Sequence, residues 1–144
     1  MNQPLVSIII PTHNRSELLS RAVKSVINQT YQNIEIIIVD DVGNVPKEIK
    51  ILSDKIKYLH IPNTLWVSEN RNAGINISNG KYIAGLDDDD YWFNNYLDTL
   101  IPIMEADETI GFACSNGYQT NELHENPTKL MFPHLQNEMQ EIYL

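Results

Sequence analysis

Leu5-Val6-Ser7-Ile8-Ile9-Ile10 is a short, nearly unbroken apolar run closed by Pro11. A run of this length, too short for a helix and rich in β-branched side chains, predicts a strand buried on both faces, as in a parallel sheet. Ile34-Glu35-Ile36-Ile37-Ile38-Val39 repeats the pattern and ends at Asp40-Asp41. Between the two, Asn14 with Glu17 three residues later reads as a capping box opening a helix. Leu18, Leu19, Ala22, Val23, Val26 and Ile27 follow at helical spacing.

The alternation continues outward. A short helix is predicted over Pro46 to Ser53, and a third strand over Lys57-Tyr58-Leu59-His60-Ile61, closed by Pro62. A helix from about Ser68 to Ser78 stops at Asn79-Gly80, and Lys81 to Leu86 forms a fourth strand. Asn95 to Glu105 reads as a helix despite Pro102, and Ile110 to Ser115 as a fifth strand. Beyond Gly117 no period is visible. Strands alternating with helices define an α/β fold with a mostly parallel sheet covered by helices on both faces. In such sheets ligands bind outside the carboxyl ends of the strands. Pro11-Thr12, Asp40-Asp41 and Asp87-Asp88-Asp89-Asp90 all fall at such ends.

The four aspartates are the most chemically pointed of these. Adjacent carboxylates repel, so four at a strand end call for a cation or another compensating charge. On an extended backbone Asp87 and Asp89 point to the same side, a two-carboxylate grip for a hard divalent cation. The alternative for such a run is a solvated acidic turn; the strand before it and the second pair at Asp40-Asp41 favour the cation.

The chain has 144 residues, a length suited to one domain with one substantial core. Lys and Arg number 10 against 19 Asp and Glu, a net charge of −9, which argues against nonspecific nucleic-acid binding and against docking on an anionic membrane. An acidic site also needs a cation to bind a phosphate ligand well. The single Cys114 excludes an internal disulfide framework. No apolar run approaches the roughly 18 residues of a spanning helix, and no signal peptide is visible. The expected location is cytoplasmic, with peripheral attachment to the inner face of the membrane left open.

Four motifs in order carry a resemblance to family-two glycosyltransferases of the GT-A fold. They are Val6 to Arg15; Gln29-Thr30-Tyr31 ahead of Glu35 to Asp41; Arg71-Asn72-Ala73-Gly74; and Gly80-Lys81-Tyr82-Ile83 running into Leu86 to Asp90. The resemblance covers about residues 4 to 116. It implies a Rossmann-like nucleotide-diphospho-sugar transferase fold, incomplete at its C-terminus, with residues 1–117 as the nucleotide-sugar-binding domain. Residues 118–144 would be an extension or the start of an acceptor region. It further implies that Pro11, Thr12 and Asn14 lie against the nucleotide and that Asp41 hydrogen-bonds the base, usually uracil. A carboxylate is a good acceptor for an imide N–H. Arg71 would lie near the nucleotide, although on its own it is equally a surface charge or an ion-pair partner for one of the aspartates. Asp87 and Asp88 would meet ribose, and Asp89 with Asp87 the metal, Mn²⁺ or Mg²⁺. The partners implied are a UDP-sugar and a carbohydrate or lipid-linked acceptor.

Two departures stand out: Val42-Gly43-Asn44 replaces the usual Gly-Ser, and Leu65-Trp66 replaces glycines ahead of Arg71. No catalytic base is assigned, although Glu122, Glu125, Glu138 and Glu141 are acidic residues downstream. Trp66, Trp92, Phe93 and Tyr96 read as packing, with Trp92 the exception nearest the aspartates. His60, His124 and His134 have no metal-ligand spacing; His13 could edge the base pocket. The expected function is sugar transfer from a nucleotide-diphosphate donor to an acceptor hydroxyl, with inversion favoured by the resemblance. The alternative is a non-catalytic nucleotide-sugar-binding module. A nucleotidyltransferase fits less well, because Pro11-Thr12-His13-Asn14 is not a glycine-rich basic phosphate loop.

Overall fold

The computed structural model describes residues 3–62, 64, 66–120 and 127–130. The chain divides into two compact units, Met1–Asn95 and Tyr96–Leu144.

The first unit is a parallel sheet with helices. Its strands are β1 (Val6–Thr12), β2 (Ile34–Asp40), β3 (Ile56–His60) and β4 (Tyr82–Gly85), in the order β3-β2-β1-β4. Every residue of β1 and β2 is buried, which is why these segments read as continuous apolar runs. Helices α1 (Ser16–Ile27), α2 (Lys47–Lys50) and α3 (Val67–Asn76) join them. The path steps outward from β1 to β3 and then returns to place β4 on the other side of β1. Right-handed crossovers made in opposite directions put α1 and α3 on opposite faces. The point where the path reverses, between β1 and β4, is where such folds open a crevice.

Pro11 does not stop β1, which runs on to Thr12. The Leu86 N–H bonds the Ile9 carbonyl, so Ile9 and, two residues on, Pro11 face β4. Pairing with β4 ends at Ile9↔Gly85, so the N–H that proline lacks breaks no ladder bond. The capping box at Asn14 is not formed either. Asn14 adopts a left-handed conformation with φ 53°, and its Oδ1 accepts from Asn44 Nδ2 at 2.5 Å. Helix α1 starts at Ser16 with Leu19, Ala22, Val23 and Val26 buried. Helix α3 lies close on the sheet because of Gly74: a Cβ there would stand 2.6 Å from Ile9 Cγ2 and 3.2 Å from Val39 Cγ2.

In the second unit, α4 (Tyr96–Ala106) contains Pro102 and buries Leu97 and Ile101. The strand predicted over Ile110 to Ser115 does not form; that stretch is irregular and Phe112 is exposed. A strand buried on both faces cannot leave a large apolar side chain in water, and the apolar run is too short to overrule that. Instead β5 (Tyr118–Thr120) pairs antiparallel with β6 (Pro127–Leu130). Leu65, Glu122, Glu125, Glu138, Glu141, His124 and His134 lie outside the described residues.

Candidate functional site

A cleft of about 280 Å³ opens at the carboxyl ends of the strands, entirely within the first unit. It is lined by Pro11, Thr12, His13 and Arg15 after β1, Asp41 after β2, Val67, Asn70 and Arg71 of α3, and Asp87, Asp88 and Asp89 after β4. Seven of the eight predicted site residues are brought together here. Asn14 is not among the lining residues; its side chain is engaged by Asn44.

The floor of the cleft is the β1/β4 switch point. Thr12 Oγ1 donates to Asp88 Oδ2 at 2.7 Å, and Arg15 donates to Asp88 Oδ1 at 3.2 Å, so both oxygens of this buried carboxylate are occupied. Asp88 is therefore a fixed element of the floor. Arg15 also reaches Asp89 Oδ2 at 3.0 Å, and its guanidinium is held further toward the charged form, chiefly by the Asp88 charge. Arg71 pairs with Asp87 Oδ1 at 2.5 Å, which places it as the ion-pair partner of an aspartate. Arg21 donates to the Asp89 carbonyl while stacking on Tyr91.

The aspartates do not continue the strand. The Asp90 N–H bonds the Asp87 carbonyl at 3.1 Å, closing a turn. The extended alternation expected of Asp87 and Asp89 is lost; in the turn Asp87 meets Arg71, while Asp88 and Asp89 share Arg15. This relieves the repulsion that four neighbouring charges create. Asp90 keeps part of it: desolvation first, then the Asp89 and Asp87 charges, raise its pKa, with Arg21 opposing.

At the end of β2 two adjacent aspartates part company. Asp40 is fully buried; it accepts from Tyr58 Oη at 2.7 Å and from the N–H groups of Val42 at 2.9 Å and Val45 at 3.2 Å. Burial pushes its pKa up, but these bonds outweigh it and hold the carboxyl below its ordinary value. Burial and the facing Asp40 raise Tyr58 to about 12. Asp41 instead turns to the cleft, where Oδ1 meets His13 Nδ1 at 2.7 Å and Oδ2 accepts from Thr64 Oγ1 at 3.4 Å.

Among the described residues no three His, Cys, Asp or Glu side chains form a ready metal cage. Asp87 and Asp89 are half-exposed carboxylates on the cleft wall, each held, among the described residues, by an arginine side chain. That donor set fits a cation of the Mg²⁺ or Mn²⁺ kind, which takes one or two carboxylates and completes its shell with ligand phosphates and water.

Three residues lining the cleft, Arg15, Val67 and Asn70, escaped the sequence reading. Arg15 was visible only as part of the first motif, and its partners lie more than seventy positions away. Asn70 precedes Arg71 on α3 and is 3 % exposed, with no hydrogen-bond partner for its Oδ1. A buried acceptor left unpaired costs about 1–3 kcal/mol. Helical spacing from Gly74 back to Asn70 and Val67 was the signal that could have placed it on the inner face.

The Glycosyl transferase family 2 model matches residues 7–143. The chain belongs to this family. It is 38% identical over 122 residues to an Escherichia coli protein named UDP-Glc:alpha-D-GlcNAc-diphosphoundecaprenol beta-1,3-glucosyltransferase WfaP, covering 79% of this chain and 46% of the relative. To glycosyltransferase GlyG of Streptococcus pneumoniae it is 33% identical over 115 residues, covering 74% and 38%. This family-two chain spans about half the length of several curated relatives that it matches. Among solved structures it resembles a mannosyltransferase of Pyrobaculum calidifontis in complex with GDP-Man and Mn²⁺, with a TM-score of 0.67, 18% identity and coverage of 76% of this chain and 34% of that one. It also resembles S. aureus TarS 1-349 in complex with UDP-GlcNAc, with a TM-score of 0.62, 21% identity and coverage of 70% and 31%. These likenesses establish the GT-A fold.

Proposed function

We propose that the cleft binds a nucleotide-diphosphate sugar, a UDP-sugar above all, with Mn²⁺ or Mg²⁺, and that the chain is the donor-binding part of a glycosyltransferase. The observation that carries this reading is the convergence on one cleft of Asp41 after β2, Arg71 of α3, and Asp87 and Asp89 after β4. Asp41 would accept the imide N–H of uracil. Thr12 and Arg15 hold Asp88 fixed beneath the ribose and diphosphate, and Asp89, with Asp87, would hold the cation. A bound divalent cation supplies neutralisation of the charge that develops on the leaving diphosphate. Arg71, paired with a half-exposed carboxylate, can turn to the same phosphates.

In the transfer, the oxygen of an acceptor hydroxyl bonds to the anomeric carbon as the bond from that carbon to the β-phosphate oxygen breaks. The electron pair leaves on the nucleoside diphosphate, and a base takes the hydroxyl proton. Attack opposite the leaving group inverts the anomeric centre. The relative named for a diphosphoundecaprenol substrate supports a lipid-linked acceptor and hence work at the inner face of the membrane. No helix among the described residues is long and apolar enough to cross a membrane.

Calorimetric titration of UDP with and without Mn²⁺ tests the reading. Binding that Mn²⁺ strengthens is expected, and a folded sample that binds UDP in neither condition overturns it. Release of free sugar or glycoside from a UDP-sugar separates the transferase from a module that only binds.

A further inference from the structure

We infer that Asn70 is a ribose-reading residue of the donor site, its amide oxygen accepting a hydrogen bond from a ribose hydroxyl of the nucleotide. The inference rests on the proposed nucleotide reading and adds to it a contact made by a residue outside the four motifs. Asn70 lines the cleft, is 3 % exposed, and its Oδ1 is one of two buried side-chain atoms among the described residues with no hydrogen-bond partner. Buried polar groups are paired in the great majority of cases, so an orphan acceptor on a cleft wall points to a donor brought by the ligand. With no bond to lose, the oxygen meets such a donor by turning about the terminal amide torsion, which is broad and roughly two-fold.

A UDP-sugar carries few donors, and they lie in separate places. Uracil has a single N–H, and Asp41 is its acceptor in the proposed site. Ionised phosphates offer acceptors only. The remaining donors are the hydroxyls of the ribose and of the sugar, and position chooses between them. One turn beyond Asn70, Gly74 rests on Ile9 of β1 and Val39 of β2, so this face of α3 lies over β1 and β2. Asp41 follows β2 on one side of β1, and Asp87, Asp88 and Asp89 follow β4 on the other. Asn70 therefore stands between the base side and the diphosphate side, where the ribose joins the two. The sugar hangs from the far end of the diphosphate, on the side away from Asp41. Asp88, beneath the ribose, already accepts from Thr12 at one oxygen and from Arg15 at the other. A hydroxyl lying over it has use for a further acceptor, and the Asn70 oxygen is the unpaired one.

The test titrates UDP, 2′-deoxy-UDP and 3′-deoxy-UDP, each with Mn²⁺, into the wild-type chain, Asn70→Leu and Asn70→Ala. Leucine keeps the volume and removes both polar groups; alanine repeats the loss without a branched side chain. In the wild type, removing the hydroxyl that bonds Asn70 should weaken binding by about three- to tenfold, the size of one neutral hydrogen bond. Both variants should lose UDP affinity by the same factor, and should no longer distinguish UDP from that deoxy analogue. Wild-type protein that binds all three ligands equally overturns the inference, and that arm requires neither variant to fold. Wild-type affinity for UDP in both variants overturns it too, as does a hydroxyl preference that survives undiminished in them. An equal loss for UDP and both analogues also overturns it, since the side chain then acts through the shape of the cleft. Wild-type protein that binds no UDP removes the nucleotide reading itself, a separate failure.

Discussion

At its amino end strand β2 carries Glu35, whose carboxylate accepts from Ser7 Oγ at 2.5 Å, from the Asn79 N–H at 2.6 Å and from Lys57 Nζ at 2.5 Å. Just past its carboxyl end stands Asp41, which faces the cleft and meets the exposed His13 ring and the Thr64 hydroxyl. The two carboxylates stand at opposite ends of one buried strand, Glu35 within it and Asp41 just beyond it, and their surroundings differ in kind. Around Glu35 the donors belong to β1, β3 and the turn before β4, so the four strands are tied at one point. The Gly80 N–H adds a bond to Ser7 Oγ at 2.8 Å, and a Cβ on Gly80 would fall 2.6 Å from the Ser7 nitrogen. At the opposite end Asp87 and Asp89 are held by half-exposed arginines that can swing away. An acid fixed by backbone and short side chains belongs to the fold; an acid held by the tip of a long cation is free to exchange partners.

The sharpest way to break the comparison is Glu35→Ala. It strands the Ser7 hydroxyl, the Asn79 N–H and Lys57 together, and we expect a loss of about 2–4 kcal/mol in urea denaturation, in the range of breaking a buried pair whose cation is partly solvated. The pH dependence sharpens it. Burial raises the Glu35 pKa, but the bonds from Lys57, Ser7 and Asn79 outweigh it and bring it from 4.5 to about 2. A depressed acid stabilises the fold fully above its unfolded pKa, so this contribution is present at neutral pH and fades as pH falls from about 4.5 toward 2. Glu35→Gln should flatten that decline. An equally steep fall in the variant would shift the acid sensitivity to other carboxylates.

Next in size is Asp41→Asn, at the other end of the same strand. Losing one charge-assisted bond should weaken UDP by about 1.5–3 kcal/mol while leaving the Mn²⁺ enhancement in place. Unfolding in urea should barely change, since Asp40 rather than Asp41 anchors the turn. A fold that falls with Asp41→Asn would erase the distinction between the two ends.

The sequence made the sheet legible because β1 and β2 are buried on both faces, which forces short apolar runs rich in β-branched residues and closed by polar ones. The strand ends were legible for the same reason: polar residues begin where burial stops. What was hidden depended on partners remote in sequence. Pro11 stays in β1 only because β4 has already ended beside it, and Asn14 gives up its cap to Asn44. The aspartates after β4 form a turn because Arg15 and Arg71 arrive to neutralise them. Glu35 stands inside an apolar run, and only the fold turns Ser7, Lys57 and Asn79 toward it. Ile110 to Ser115 shows the converse: its apolar pattern matched a strand, but Phe112 stands exposed.

The smallest effect on the fold should come from Asp89→Ala. The Asp89 carboxylate and the Arg15 side chain that meets it are both 51% exposed, and exposed pairs contribute little net stability. Arg15 also retains Asp88 at 3.2 Å, so the guanidinium is not stranded, and Asp88 keeps its Thr12 bond. Arg21 is bound to the backbone carbonyl of residue 89, which alanine preserves. Relief of repulsion with Asp90 offsets part of whatever is lost. Urea unfolding should therefore move by no more than about 0.5 kcal/mol. UDP binding should nevertheless lose its Mn²⁺ dependence, because the anionic oxygen that a hard cation needs is gone. Unchanged Mn²⁺ dependence in a folded Asp89→Ala protein would move the metal to Asp87 and leave Asp89 as a counter-charge for Arg15.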